Sequence, residues 1–125
     1  MNLVKTNLQG CFIIEPKVFN DSRGYFFESF NQQKFKSLTG LTPNFVQDNE
    51  SVSTKGVLRG LHFQIGKHAQ AKLMRVIQGT VLDIVVDLRK QSPTFGEFIS
   101  TELSEENKKQ MYVPRGFAHG FVVLS

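Results

Sequence analysis

The sequence predicts an all-β protein, an antiparallel sandwich or barrel with one short helix. Three observations carry that expectation. Apolar residues fall in short runs with period-two alternation, as in Thr80 to Leu88. Clusters of Gly, Pro, Asn, Asp and Ser interrupt these runs at intervals of about eight to twelve residues. The composition is rich in aromatic residues and leans towards β structure, with 12 Phe, 2 Tyr and no Trp. A chain of 125 residues can build one core but not two, so residues 1–125 are expected to form one domain.

The elements follow in order. Residues 11–19, Cys-Phe-Ile-Ile-Glu-Pro-Lys-Val-Phe, read as a strand broken by Pro16, which suits an edge or a bulge. Asn20-Asp21-Ser22-Arg23-Gly24 is a turn. Tyr25 to Phe30 alternates, with Phe26, Glu28 and Phe30 on one face. A carboxylate between two phenylalanines needs a cation, and Arg23 is near enough in sequence to supply it; Glu28 and Arg23 are therefore either a local salt pair or ligand contacts. Asn31 can cap a helix over Gln32 to Leu38, with Phe35 and Leu38 inward and Gly40 ending it. Phe45 to Ser53 alternates again. One side carries Gln47, Asn49, Ser51 and Ser53, the other Val46, Asp48, Glu50 and Val52. Neither face is apolar enough for a plain core strand, so one is expected to meet water and the other to line a polar cavity.

Thr80 to Leu88 is the clearest strand. Leu82, Ile84, Val86 and Leu88 form an unbroken apolar face, while Asp83 and Asp87 punctuate the other. Ser92-Pro93-Thr94 is a turn, Phe95 to Leu103 a strand, and Ser104 to Lys108 a charged turn. Gln110 to Val113 leads into the Pro/Gly corner Pro114-Arg115-Gly116-Phe117-Ala118-His119-Gly120, and Phe121 to Leu124 starts a last strand. The chain ends inside that apolar run, and the expectation is that the complete protein continues for about another third of its length.

Charge and cysteine usage narrow the function classes. The net charge is +4, but Lys and Arg are scattered singly, which disfavours a nucleic-acid partner and suits a local anionic ligand. Cys11 is alone, so a disulfide framework is not expected, and it reads as a small core residue in a reducing compartment. With no signal peptide, membrane span or lipidation motif legible, the expected location is the cytoplasm and no membrane partner is expected.

Chemistry concentrates in Gly56-Val57-Leu58-Arg59-Gly60-Leu61-His62-Phe63-Gln64, followed by Lys72 and Gly79. Two apolar strands here carry an arginine, a histidine, a glutamine and a lysine, and polar groups inside a small barrel cost free energy unless they are paired or used. Together with Pro114-x-Gly116-x2-His119, the spacing resembles the two cupin motifs, so the fold expectation sharpens to a cupin-type jelly roll. Where metal-binding cupins place a second histidine and a carboxylate, this chain has Gln64 and Lys72. A neutral amide is a poor ligand and an ammonium cannot coordinate a cation, so neither a metal centre nor another cofactor is expected. What remains is a histidine able to take a proton and an ammonium able to stabilise an oxyanion, the minimum for removing a proton α to a carbonyl. Strict alternation would put Arg59 and His62 on opposite faces; a bulge at Gly60 would turn both inward. His68, in Gly66-Lys67-His68, reads as an exposed loop residue.

Five stretches carry a family resemblance: Phe19-Asn-Asp-Ser-Arg23-Gly24, Gln47-Asp48-Asn49, Gly56 to Gln64, Val86-Asp-Leu-Arg89 and Pro114 to Phe121. With these in order, the chain closely resembles dTDP-4-dehydrorhamnose 3,5-epimerases, which are metal-independent homodimeric cupins. The resemblance implies conversion of dTDP-4-dehydro-6-deoxy-D-glucose to dTDP-4-dehydro-L-rhamnose, on the route to dTDP-L-rhamnose. It implies His62 as the base at C3 and C5, and Lys72 as the stabiliser of the enolate oxygen. Arg59 and His119 would contact the substrate around the diphosphate and sugar. Gln47, Asp48 and Asn49 would line the nucleotide part, and Arg23 and Glu28 would bind ligand from the partner subunit. The proton-returning acid of the family is a tyrosine shortly beyond the position of Ser125, and neither Tyr25 nor Tyr112 matches its motif. The competing readings are a one-centre epimerase or ketoisomerase on the same substrate, and a non-catalytic nucleotide-sugar-binding cupin.

Overall fold

A computed structural model describes residues 1–125, the side chain of His68 excepted, so the expectation for His68 lies outside the described residues. Two antiparallel sheets face each other. One has the order β1-β2-β9-β6, formed by Asn2–Lys5, Phe12–Glu15, Gln110–Val113 and Lys72–Arg75. The other has the order β5-β10-β7-β8, formed by Leu58–His62, Phe117–Val123, Thr80–Asp87 and Phe98–Ser104. A separate hairpin, β3 (Val18–Asp21) with β4 (Gly24–Phe27), turns at Ser22 and Arg23. The break at Pro16 and this turn are where the sequence places them, but the strand ends at Phe27 rather than running to Phe30. Strand β1 is an unanticipated edge, paired with β2 from Asn2↔Glu15 to Lys5↔Phe12.

Leu8, Cys11, Val85, Leu103, Met111, Val113 and Phe117 fill the space between the sheets. Cys11 is fully buried with its sulfur 3.4 Å from Met111 Sδ, and burial pushes its thiol up to about 12, which makes it an inert core residue. The outer face of the first sheet is closed by α1, Gln32–Thr39. Asn31 caps it by accepting from the Lys34 amide at 3.0 Å, and Gly40 ends it at φ 75°. Its buried Phe35 sits edge-on to Tyr112, with ring centroids 5.3 Å apart.

Two further features differ from expectation. Residues 45–53 form no strand but an exposed extended segment, with Val46 84% and Val52 92% accessible. Alternation made them look like a strand, yet they pair with no neighbour here, and pairing is what defines one. In β7, the buried face is not the unbroken apolar one. Asp83, Val85 and Asp87 are buried, whereas Leu82, Ile84 and Val86 are only half-buried on the outside. Period-two alternation separates two faces without saying which one meets the core. The charged face goes inside because each carboxylate finds a partner there, His119 for Asp83 and Arg89 for Asp87.

Candidate active site

His62 and Lys72 come from different sheets and line one cavity of about 240 Å³, together with Phe63, Gln64, Gln70, Gly116 and Phe117. Alternation in β6 explains the lysine. Lys72 stands opposite Val113, a residue of the core between the sheets, whereas Leu73 stands opposite Tyr112 and packs outward beneath α1. Lys72 is half-buried and His62 exposed, so a titratable imidazole and an ammonium face a space that solutes can enter.

The bulge expected at Gly60 is present. His62 pairs with His119 and Arg59 with Phe121, so three steps along β5 match two along β10. Directly paired residues share a face, and His119 and Phe121 alternate onto one face, so Arg59 and His62 are turned to the same side. Arg59 Nε donates to Ser53 Oγ at 2.7 Å, tying the bulge to the extended segment. Two glycines permit this. A Cβ on Gly60, whose φ is 110°, would lie 2.7 Å from Gly120 Cα, and one on Gly120 would lie 2.6 Å from the Arg59 carbonyl oxygen. A Gly120→Ala variant is therefore expected to push β5 from β10, to displace His62, and to lose about 1–3 kcal/mol of stability by overpacking. Urea titration alongside the activity assay checks both effects.

His119 is buried, with Nε2 2.5 Å from Asp83 Oδ1. Burial raises the Asp83 carboxyl above its ordinary range, and the hydrogen bond from His119 with the charges of His119 and Lys72 holds part of that rise back. Asp83 Oδ2 has no hydrogen-bond partner. Sequence reasoning missed Asp83 because its partner lies 36 positions away.

The remaining expected contacts lie elsewhere. Arg23 lines a separate hollow of about 450 Å³ on the β3–β4 hairpin, with Phe19, Tyr25 and Phe26. It pairs with Asp21 at 2.7 Å, not with Glu28; Glu28 instead meets Lys34 at 3.1 Å and accepts from Asn31 Nδ2 at 3.3 Å. The pairing of Arg23 with Glu28 is thus corrected. The tight turn brings Arg23 back over Asp21, and α1 offers Lys34 to Glu28. Gln47, Asp48 and Asn49 sit on the exposed extended segment, where Gln47 Nε2 donates to Asn49 Oδ1 at 3.2 Å. Among the described residues, no group of three or more His, Cys, Asp or Glu side chains is placed to hold a metal ion, and no helix is long and apolar enough to cross a membrane.

The family model described as dTDP-4-dehydrorhamnose 3,5-epimerase matches residues 5–125. The chain belongs to that family. Its relative in Salmonella typhimurium, a dTDP-4-dehydrorhamnose 3,5-epimerase, is 58% identical over 125 residues, which are 100% of this chain and 68% of the relative. Among solved structures, the dTDP-4-dehydrorhamnose 3,5-epimerase of Elizabethkingia anophelis superposes with a TM-score of 0.95 at 65% identity, covering 100% of this chain and 68% of the other. An epimerase from Legionella pneumophila, solved with dTDP-4-keto-L-rhamnose, gives 0.94 at 52% identity, covering 99% and 65%. The two facing sheets are accordingly the cupin-type jelly roll of these epimerases.

Proposed function

We propose that residues 1–125 act as one cupin-like unit of a nucleotide-sugar epimerase that converts dTDP-4-dehydro-6-deoxy-D-glucose to dTDP-4-dehydro-L-rhamnose. The observation that carries this reading is the shared cavity of His62 and Lys72. A ketone at C4 makes the protons on C3 and C5 acidic. Neutral His62 takes one of them, the C–H electron pair moves into the ring, and the C4 oxygen becomes an enolate. Lys72 answers that charge with its ammonium. A proton returned to the opposite face restores the ketone with inverted configuration, and the cycle repeats at the second carbon. No step calls for a metal or a redox cofactor. Neither tyrosine of this chain suits the returning acid: Tyr112 packs outward on Phe35, and Tyr25 lies beneath Lys108 Nζ at 4.0 Å.

Arg59 and His119 serve the sugar and diphosphate, and Gln47, Asp48 and Asn49 the nucleotide. Arg23 and Glu28 act from a second copy of the chain in a homodimer. The hairpin and the extended segment support that assignment, since both project apolar side chains (Phe19, Phe26, Val46 and Val52) into solvent in the isolated chain. A buried lone thiol and dispersed basic residues suit a cytoplasmic enzyme without nucleic-acid or membrane partners.

One structural likeness favours a second reading. ChmJ, a 3'-monoepimerase from Streptomyces bikiniensis solved with dTDP-quinovose, superposes with a TM-score of 0.90 at 32% identity, covering 96% of this chain and 61% of that one. Incubation with the 4-keto sugar nucleotide in heavy water, followed by NMR, separates the readings. Deuterium at both C3 and C5 with the L-configured product is the expected outcome. Deuterium at C3 alone makes the protein a one-centre enzyme. Binding without exchange removes the catalytic assignment of His62.

A further inference from the structure

We infer that Asp83 is a positioning residue of this site, a carboxylate kept inside the barrel to orient His119. The inference rests on the epimerase reading for its effect on turnover, and on geometry alone for the contact itself.

Three strands of one sheet carry Asp83, His119 and His62 in a row. Asp83 on β7 stands opposite Phe121 of β10, and His119, two residues earlier on the same face, is its diagonal neighbour. His119 stands directly opposite His62 on β5. Lys72 lines the cavity with His62 from the other sheet. An apolar side chain would fill this position in a core whose neighbours are Val81 and Val85, so packing alone gives no reason for a carboxylate. Only one of its oxygens is used within the chain. Oδ1 meets His119 Nε2, while Oδ2 is the one buried side-chain oxygen or nitrogen without a partner among the described residues.

The chemistry follows from that arrangement. An ionised carboxylate only accepts, so the proton of the pair sits on His119 Nε2, and Nδ1 is left as the free acceptor. Both ring orientation and tautomer are thereby set beside the base His62. Without Asp83, His119 can turn over to its other tautomer.

The first test needs no substrate. In histidine-selective ¹⁵N NMR of the intact protein, His119 is expected to show a protonated Nε2 with a downfield, slowly exchanging proton, and Asp83→Asn is expected to shift it. A bare Nε2 in the wild type overturns the inference whether or not the protein proves to be an epimerase, and it decides the matter if Asp83→Asn does not fold. The second test is kinetic. Folded Asp83→Asn is expected to lose up to about 100-fold in the rate of C3 and C5 exchange, as misplaced groups do. Asp83→Asn combined with His119→Asn should then cost no more than the worse single change. Undiminished exchange in a folded Asp83→Asn protein, or losses that multiply in the double variant, overturns the inference.

Discussion

A His62→Ala protein is expected to lose about 10²- to 10⁴-fold in the rate of deuterium entry at both C3 and C5, the usual contribution of a general base. Nucleotide affinity should survive, because the residues assigned to the nucleotide, Gln47, Asp48 and Asn49, lie on a different segment from β5. His62 is exposed at the end of an edge strand and supports little of the core, so the loss should appear in turnover and not in the unfolding midpoint. Exchange measured by NMR and a urea titration on the same sample separate the two. A His62→Ala protein that still exchanges either proton at the wild-type rate would remove the base from the proposed mechanism.

The largest stability effect is expected at Asp87. Its side chain is 0% exposed and accepts from Arg89 Nε and Nη2, each at 3.0 Å, and from the hydroxyls of Ser92 at 2.6 Å and Thr94 at 2.5 Å. Arg89 in turn donates to the Gln9 carbonyl at 2.5 Å and lies 4.4 Å over the Phe117 ring, beside a glycine, Gly116, whose Cβ would strike its stem at 2.5 Å. One carboxylate thus joins the end of β7, the Gln9 loop and the corner that leads to His119. Asp87→Ala leaves a guanidinium and two hydroxyls without their acceptor, and a loss of about 3 kcal/mol is expected, the low end for a broken buried pair because Arg89 is partly exposed. Urea midpoints measure it. Burial alone would raise this carboxyl, but the hydrogen bonds from Arg89, Ser92 and Thr94 outweigh that and hold it well below the ordinary range. The folded state therefore binds this proton less readily than the unfolded chain. Asp87 stabilises the fold above the unfolded carboxyl value of about 3.9, and that contribution fades as the pH falls through the folded value. The acid limb of the wild-type stability curve should be steeper than that of Asp87→Asn.

Some of the molecule could be read along the chain, and the reasons are local. Asn31 and Gly40 bound α1 because capping and the left-handed conformation are settled within four residues of a helix end. Asp21 to Gly24 turns because of its own residue types, and Gly60 marks the bulge because Arg59 and His62 could not otherwise share a face. His62 and Lys72 stood out for the same kind of reason, as charged or titratable groups set in apolar strands.

Other features could be decided only by contacts between distant segments. The partner of Arg23 depended on where the turn and α1 placed Asp21 and Lys34, and the strand-like residues 45–53 depended on a neighbour to pair with. Which face of β7 is buried depended on His119 and Arg89 reaching Asp83 and Asp87. The sequence by itself determined the class of fold, the helix, the turns and the chemical character of the site, since propensity, alternation and residue type act over a few positions. Only the tertiary structure decided which charges lie inside, because burying a carboxylate is tolerable only once its partner has been folded against it.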